Sequence, residues 1–442
     1  MGFTIPSSKN KLYLSGFDWV MSVIDYITKK TTCAGGASQV VFVFDSPAEE
    51  VTVQDYLSRF LKEFPVIQGR IRRDYSLCPY WRIPKKNIGN GLKLNVYRLE
   101  NCSSQGDILS LMEECVNKPF KGEHEHLAFH LVSAGNQQCL GVTFDHRLFD
   151  ARGVESFMNL FQQYYLDRGR SRIADGVRLT ASADLSQWSE KFLAGRNVNR
   201  KLIALSKTPI RALPVPPSEK KRGFKFSMIC FDQPETERIY DAAYEEAGYL
   251  MVMPYLLAAV TQTMHELFDS RGIASSSYVI PVSVDMRSSK DIKQELFCNH
   301  TSMLLFQIQG DAMRDKRLLV KEINSQMYEQ VQSHLPADLL KASALLRIAP
   351  LPVLDRIFHL PFDGKIASFC FAHVSKSSYQ FTEFMGVKVS NIYHLPRAPV
   401  PPGMGIFFNS FNGRLNVTIS WLDGLLDSDE VLMLERGLKS RL

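Results

Sequence analysis

The segment CLGVTFDHRLFDAR, residues 139–152, constrains this chain more than any other stretch. A β-branched and aromatic run ends at His146, a short turn follows, and a helix opens near Arg152. That helix carries Val154, Phe157, Leu160, Phe161 and Tyr164 on one face. A strand that delivers a histidine into a turn and then an amphipathic helix needs a sheet on one side and helices on the other. HxxxD alone recurs by chance in long chains, so its setting between a buried strand and a helix start gives it weight.

The remaining sequence repeats this mixture. QVVFVFD (39–45), KLNVYRL (93–99), HLAFHLV and CLGVTFD read as strands. VTVQDYLSRFLKEF sets Val53, Tyr56, Leu57, Phe60, Leu61 and Phe64 at helical spacing, with Pro65 as its stop, and DILSLMEECV reads as a further helix. Residues 207–222, TPIRALPVPPSEKKRG, are rich in proline and then in charge and form the clearest linker. They divide the chain into an N-terminal lobe, 1–206, and a C-terminal lobe, 223–442.

Beyond the linker, FKFSMICF, SYVIPVSV and HTSMLLFQI predict strands, and helices are expected over 233–247, 253–269, 312–332 and 337–348. GIFFNSF and RLNVTISW flank Asn412-Gly413, which suits a type I′ hairpin turn. The last helix begins at DSDE, where Asp427 and Glu430 stand in capping-box spacing.

A chain of 442 residues with 45% hydrophobic and 22% charged residues can bury more than one core without disulfides or metals. The cysteines at 33, 78, 102, 115, 139, 230, 298 and 370 include no CxxC pair, so reduced thiols in a soluble, cytoplasmic protein are expected. The N-terminus has no signal-peptide core, Pro6 breaks the myristoylation pattern, and the apolar run 249–260 is too short to span a bilayer. A net charge of +6 is compatible with an anionic small molecule or an acidic partner, and no nucleic-acid-binding signature accompanies it.

The chemistry centres on His146. A neutral imidazole at the end of a buried strand can take a proton from a nucleophile, since its ordinary pKa is about 6.5. Asp150 need not touch substrate. By pairing with a distant arginine it can hold the turn that aims the ring.

TFDHRLFDAR (143–152) resembles the active-site motif of the chloramphenicol acetyltransferase-like superfamily, which includes condensation domains, BAHD acyltransferases, wax ester synthases and dihydrolipoyl acyltransferases. LSGFD (14–18) is similar to the LSPLD opening of some members, and FLKEFPVIQGRIR (60–72) to their helix, proline and G-R segment. IPVSVDMR (280–287) with FCNHTS (297–302) is similar to the strand carrying a basic residue and the downstream Gly-Asn. SFCFAHVSKSSYQFTEFMGVKV (368–389) resembles the stretch ending in DFGWG.

The resemblance implies two α/β lobes, each a mixed β-sheet with flanking helices, and an active-site tunnel between them. It implies transfer of an acyl group from an acyl-CoA or acyl-carrier-protein thioester to a hydroxyl or amine, by direct attack. On that basis His146 is the base, Asp150 the structural anchor and Arg287 its salt-bridge partner. Asn299 matches the Asn of Gly-Asn, and Ser375 is an oxyanion donor by position only. The thioester of CoA or phosphopantetheine is a co-substrate, no bound cofactor is expected, and a small-molecule acceptor is. Two lobes in one chain imply a monomer.

Several positions depart from the pattern. Asp145 stands where members with HHxxxDG have the first His, Ala151 replaces the Gly after the motif Asp, TEFMGVK replaces DFGWGKP, and Cys298 replaces the Gly of Gly-Asn. No lipoyl or hinge segment precedes the motif, which argues against a dihydrolipoyl acyltransferase.

Other clusters have plainer readings. His124, His126 and His130 alternate, but no third-ligand cluster accompanies them, so solvated or hydrogen-bonded histidines are expected and no metal is assigned. Lys220, Lys221 and Arg222 could meet a phosphopantetheine phosphate or an acidic carrier protein, although a solvated linker is the commoner origin of such a run. The rival to an enzyme is a catalytically silent member of the fold that serves as a binding or docking module. The intact His146 and Asp150 weigh against it, and a tunnel blocked before His146 would favour it.

Overall fold

The computed structural model describes residues 10–85, 94–99, 105–170, 187–249, 251–273, 277–287 and 296–442. Two six-stranded sheets dominate it. The first runs, in spatial order, Glu383–Phe384, Val387–Leu395, Ala37–Phe44, Gln137–Asp145, Leu127–Ala134 and Leu94–Leu99. The second runs Thr301–Gln309, Ser277–Asp285, Cys370–Lys376, Met404–Phe411, Arg414–Leu422 and Phe224–Phe231. A small third sheet joins Lys11–Tyr13, Pro79–Arg82 and Arg70–Arg73.

The central strands read as continuous apolar runs because they are covered on both faces. Gln137–Asp145 is buried at every position after the first. Its Leu140, Val142 and Phe144 share one hydrophobic cluster with the helix Ala151–Leu166, which buries Val154, Phe157, Met158, Phe161 and Tyr164, while Leu160 is only partly buried. The helix Glu50–Lys62 stops short of Pro65 and sends Phe60 against Phe157 and Phe161, with ring centroids 5.1 and 5.0 Å apart. Burying these side chains is worth about 1.5–3 kcal/mol each, which locks the helices onto the sheet.

Strands from beyond the linker complete the first sheet. Val387–Leu395 pairs antiparallel with Ala37–Phe44, placing His394 opposite Val40 and Leu395 opposite Gln39. The helix Trp188–Ser206, which precedes the linker in sequence, contacts Leu335–Leu346 from the second half. The two halves are thus interlaced through both a sheet and a helix pair.

Local signals behave as their chemistry requires. Asn412 and Gly413 adopt φ of 49° and 76°, the positive pair a type I′ turn needs, and join Met404–Phe411 to Arg414–Leu422. Asp427 and Glu430 form a reciprocal capping box at the last helix. The helix expected over 312–332 divides, with a 3₁₀ turn at Gly310–Arg314 before the α-helix Lys316–Gln332, because Asp315 caps the latter through the amides of Arg317 and Leu318. Among the described residues, no helix is long and apolar enough to cross a membrane.

Candidate active site

His146 follows directly on the last residue of Gln137–Asp145, partly exposed to a cavity of about 670 Å³ lined from both halves of the chain. Its Nδ1 lies 3.2 Å from Asn299 Oδ1. The orientation of that amide is over-determined. Asn299 Nδ2 donates to Asp18 Oδ1 at 2.9 Å and to the His146 carbonyl at 3.0 Å, and the Asn299 backbone amide donates to Asp18 Oδ1 at 2.7 Å. With the NH₂ group spent on two acceptors, the side-chain oxygen must face the imidazole, so Nδ1 carries the proton. In the neutral ring this tautomer puts the lone pair on Nε2, the arrangement a general base requires.

Asp18 belongs to the helix Gly16–Thr28 and is its N3 residue, bonded reciprocally with the Ser15 cap. It is 1% exposed. Burial pushes its carboxyl above the ordinary range, against the opposing effect of the hydrogen bonds from Asn299 and Ser15. The composition Ser15-Gly16-Phe17-Asp18 carries a capping-box signature, and that signal could have located both the helix and the carboxylate. The reach to Asn299, 281 positions away, is invisible locally.

Asn299 itself is aimed by its neighbour. Phe297 has φ of 64°, in the left-handed region that costs a bulky side chain energy. It is held there by Phe149, Phe64 and Phe157, with centroids at 5.2, 5.5 and 6.1 Å. The aromatic core under the HRLFD turn therefore also positions the segment that faces it.

Asp150 is the N-cap of Ala151–Leu166, accepting from Gly153 N at 2.7 Å. The same oxygen accepts from Arg287 Nη2 at 2.8 Å, and the other accepts from His300 N at 2.9 Å and Thr301 Oγ1 at 3.2 Å. The Arg287 and Asp150 side chains are 1% and 4% exposed. Burial alone would raise the Asp150 carboxyl, but the Arg287 guanidinium and these hydrogen bonds outweigh it and hold it below the ordinary range. The pair ties the turn after His146 to the end of Ser277–Asp285.

Asp145 occupies its own buried network. Arg147 Nε donates to both of its oxygens at 2.9 and 3.0 Å, and His126 Nδ1 lies 3.0 Å from Oδ2. Burial opposes ionisation, yet Arg147 and His126 keep this carboxyl well below its usual range. His124 instead meets the Gln68 carbonyl and Arg70, and His130 lies buried with neither ring nitrogen bonded among the described residues. The three histidines share no site, and among the described residues no group of three or more His, Cys, Asp or Glu could hold a metal ion.

The basic run lies apart from the cavity. Lys221 Nζ donates to the Lys29 carbonyl at 2.8 Å, and Arg222 donates to the carbonyls of Pro217 and Asp423 at 3.0 and 3.3 Å. Lys220 is exposed, and its backbone exchanges hydrogen bonds with Ser218. None of the three lines the cavity wall. The Ser375 side chain lies outside the described residues.

No protein-family model and no curated protein matches the sequence. Solved structures do match the fold. The first condensation domain of the calcium-dependent antibiotic synthetase, in complex with a substrate analogue, superposes with a TM-score of 0.69 at 13% identity, over 98% of this chain and 96% of that one. The EpoB cyclization-docking bidomain from Sorangium cellulosum gives 0.68 at 13% identity, over 100% and 86%. The TRI3 trichothecene 15-O-acetyltransferase from Fusarium sporotrichioides gives 0.68 at 13% identity, over 98% and 95%. The chain thus has the two-lobed, chloramphenicol acetyltransferase-like fold of condensation domains and of the trichothecene acetyltransferase.

Proposed function

We propose that this chain is an acyltransferase that moves an acyl group from a CoA or acyl-carrier-protein thioester to a hydroxyl or amine acceptor, with His146 as general base. The observation that carries the reading is the pinned Asn299 amide, which selects the tautomer of neutral His146 with its lone pair on Nε2, beside a cavity lined from both halves of the chain. In the reaction the acceptor oxygen or nitrogen bonds to the thioester carbonyl carbon while its proton passes to Nε2. Collapse of the tetrahedral intermediate breaks the C–S bond, and the proton on Nε2 moves to the departing thiolate. No acyl-enzyme is required.

Asp150 and Arg287 act through position, by holding the turn that carries His146, and Asn299 fixes its tautomer. Ser375 is proposed as an oxyanion donor on position alone. Cavity walls of Phe17, Val20, Met21 and Leu202 suit an apolar acyl chain. A cavity that reaches His146 also supports catalysis over a silent docking role. Free-thiol release from a panel of acyl-CoA, acyl-pantetheine and acyl-carrier-protein thioesters, short to long, tests the reading. Release that peaks at one chain length is expected, and silence across all three donor series with folded protein would overturn it.

A further inference from the structure

The cavity beside His146 has a second polar wall. His373, in the strand Cys370–Lys376, and His394, in Val387–Leu395, come from different sheets and both line it, together with Arg152 and Asn409. His394 is 9% exposed, and Nε2 of each imidazole is enclosed with no hydrogen-bond partner among the described residues. Nothing in the chemistry assigned to His146, Asp150 and Asn299 uses either ring. Burial pushes both down to about 4, with the Arg152 charge adding to the effect and the Glu155 charge opposing it at His394, so both are neutral near pH 7. A neutral imidazole presents one donor and one acceptor, the complement of a hydroxyl group.

The distances suit a small molecule. His394 lies opposite Val40, whereas Asp145 lies opposite Ala37 one strand further over. Three residues along and two strands across place His394 roughly 14 Å from the start of the catalytic turn. The backbone under this wall is fixed, because Thr418 Oγ1 donates to the His394 carbonyl and Asn409 Nδ2 to the Ile392 carbonyl, each at 2.8 Å. Arg152 is held by Glu155 at 2.8 Å, and Glu155 also accepts from Ser378 Oγ at 2.6 Å. Within this wall the Glu155 carboxylate offsets the Arg152 charge, so the pair favours neither an ammonium group nor an anion beside the two imidazoles.

Resting on the acyl-transfer reading, we propose that His373 and His394 form a hydrogen-bonding subsite for the acceptor, which is a neutral molecule bearing a second hydroxyl besides the one acylated. Buried polar groups made for a hydroxyl discriminate against a partner lacking it, since they would otherwise be desolvated and unpaired.

The test uses the full chain, the acyl-pantetheine it cleaves fastest, and 1-octanol, 1,8-octanediol and octylamine as acceptors, comparing kcat/KM for product formation counted per acylatable group. The expected order is 1,8-octanediol above 1-octanol by ~10-fold or more, with octylamine below both. His394→Phe and His373→Phe should each bring the diol-to-alcohol ratio close to one, and His394→Gln should restore part of it. Thermal melting of each variant separates loss of fold from loss of preference, and the Gln variant serves if Phe is not accommodated. Equal use of diol and alcohol by wild type, preference for the amine, or a ratio unchanged in both Phe variants would overturn the subsite while leaving acyl transfer intact. Absence of thiol release by wild type would instead sink the acyl-transfer reading, and the subsite with it.

Discussion

Asn299 presents its side-chain oxygen to His146 Nδ1 at 3.2 Å because Asp18 and the His146 carbonyl take both directions of its NH₂ group. An Asn299→Ala variant should therefore lower kcat by ~10–100-fold with little change in KM, as the imidazole loses its preferred tautomer and orientation. Steady-state kinetics decide this. A change confined to KM would show that Asn299 contacts substrate instead.

The Asp150–Arg287 pair is nearly sealed from solvent, so losing one partner leaves a buried, uncompensated charge. Arg287→Met should cost about 3–5 kcal/mol in a urea titration, and adding Asp150→Asn should recover part of it. The pH dependence has a definite sign. A carboxyl held below its unfolded value stabilises the fold above that value, about 3.9, and the contribution is lost as pH falls through the folded pKa. Stability should thus decline in acid below about pH 4, less steeply in Asp150→Asn.

His130 makes the opposite kind of demand. Burial lowers it to about 4, and neither ring nitrogen is bonded. The unfolded chain binds the proton first, at about 6.5, so stability falls as pH drops from about 6.5 to the folded value. The slope from this one group is at most about 1.4 kcal/mol per pH unit. His130→Leu should flatten the curve of unfolding free energy over that window. An unchanged slope would mean that the ring is solvated.

Phe297 combines a strained backbone with a fully buried ring. Phe297→Ala should destabilise the fold by about 3–5 kcal/mol and also depress kcat, since Asn299 loses its support two residues away. A stability loss with kcat unchanged would separate the aromatic core from the site.

These contacts also explain what the sequence can and cannot disclose. The strand, turn and helix around His146 are legible because strand pattern and helical period meet within fourteen residues, and local signals such as Asn412-Gly413 or Asp427 and Glu430 depend only on neighbours. Arg287 and Asn299 were reachable through resemblance to a motif, not through periodicity. Asp18 lies in the LSGFD segment and in capping-box spacing with Ser15, but its hold on Asn299 is not legible, because that partner lies 281 residues away. The transfer of 383–395 into the first sheet leaves no mark either, since a strand's alternation does not name its neighbour. The helix Trp188–Ser206 escapes for a different reason: only Ala194 and Leu205 are buried, so no apolar stripe announces it.

The central claim, that His146 is the base, is tested most directly by thiol release from acyl-CoA and acyl-pantetheine donors in wild type and His146→Ala, with melting temperatures matched. The account predicts that the substitution lowers the rate by ~10²–10⁴-fold while the protein stays folded. Full activity in His146→Ala would contradict it.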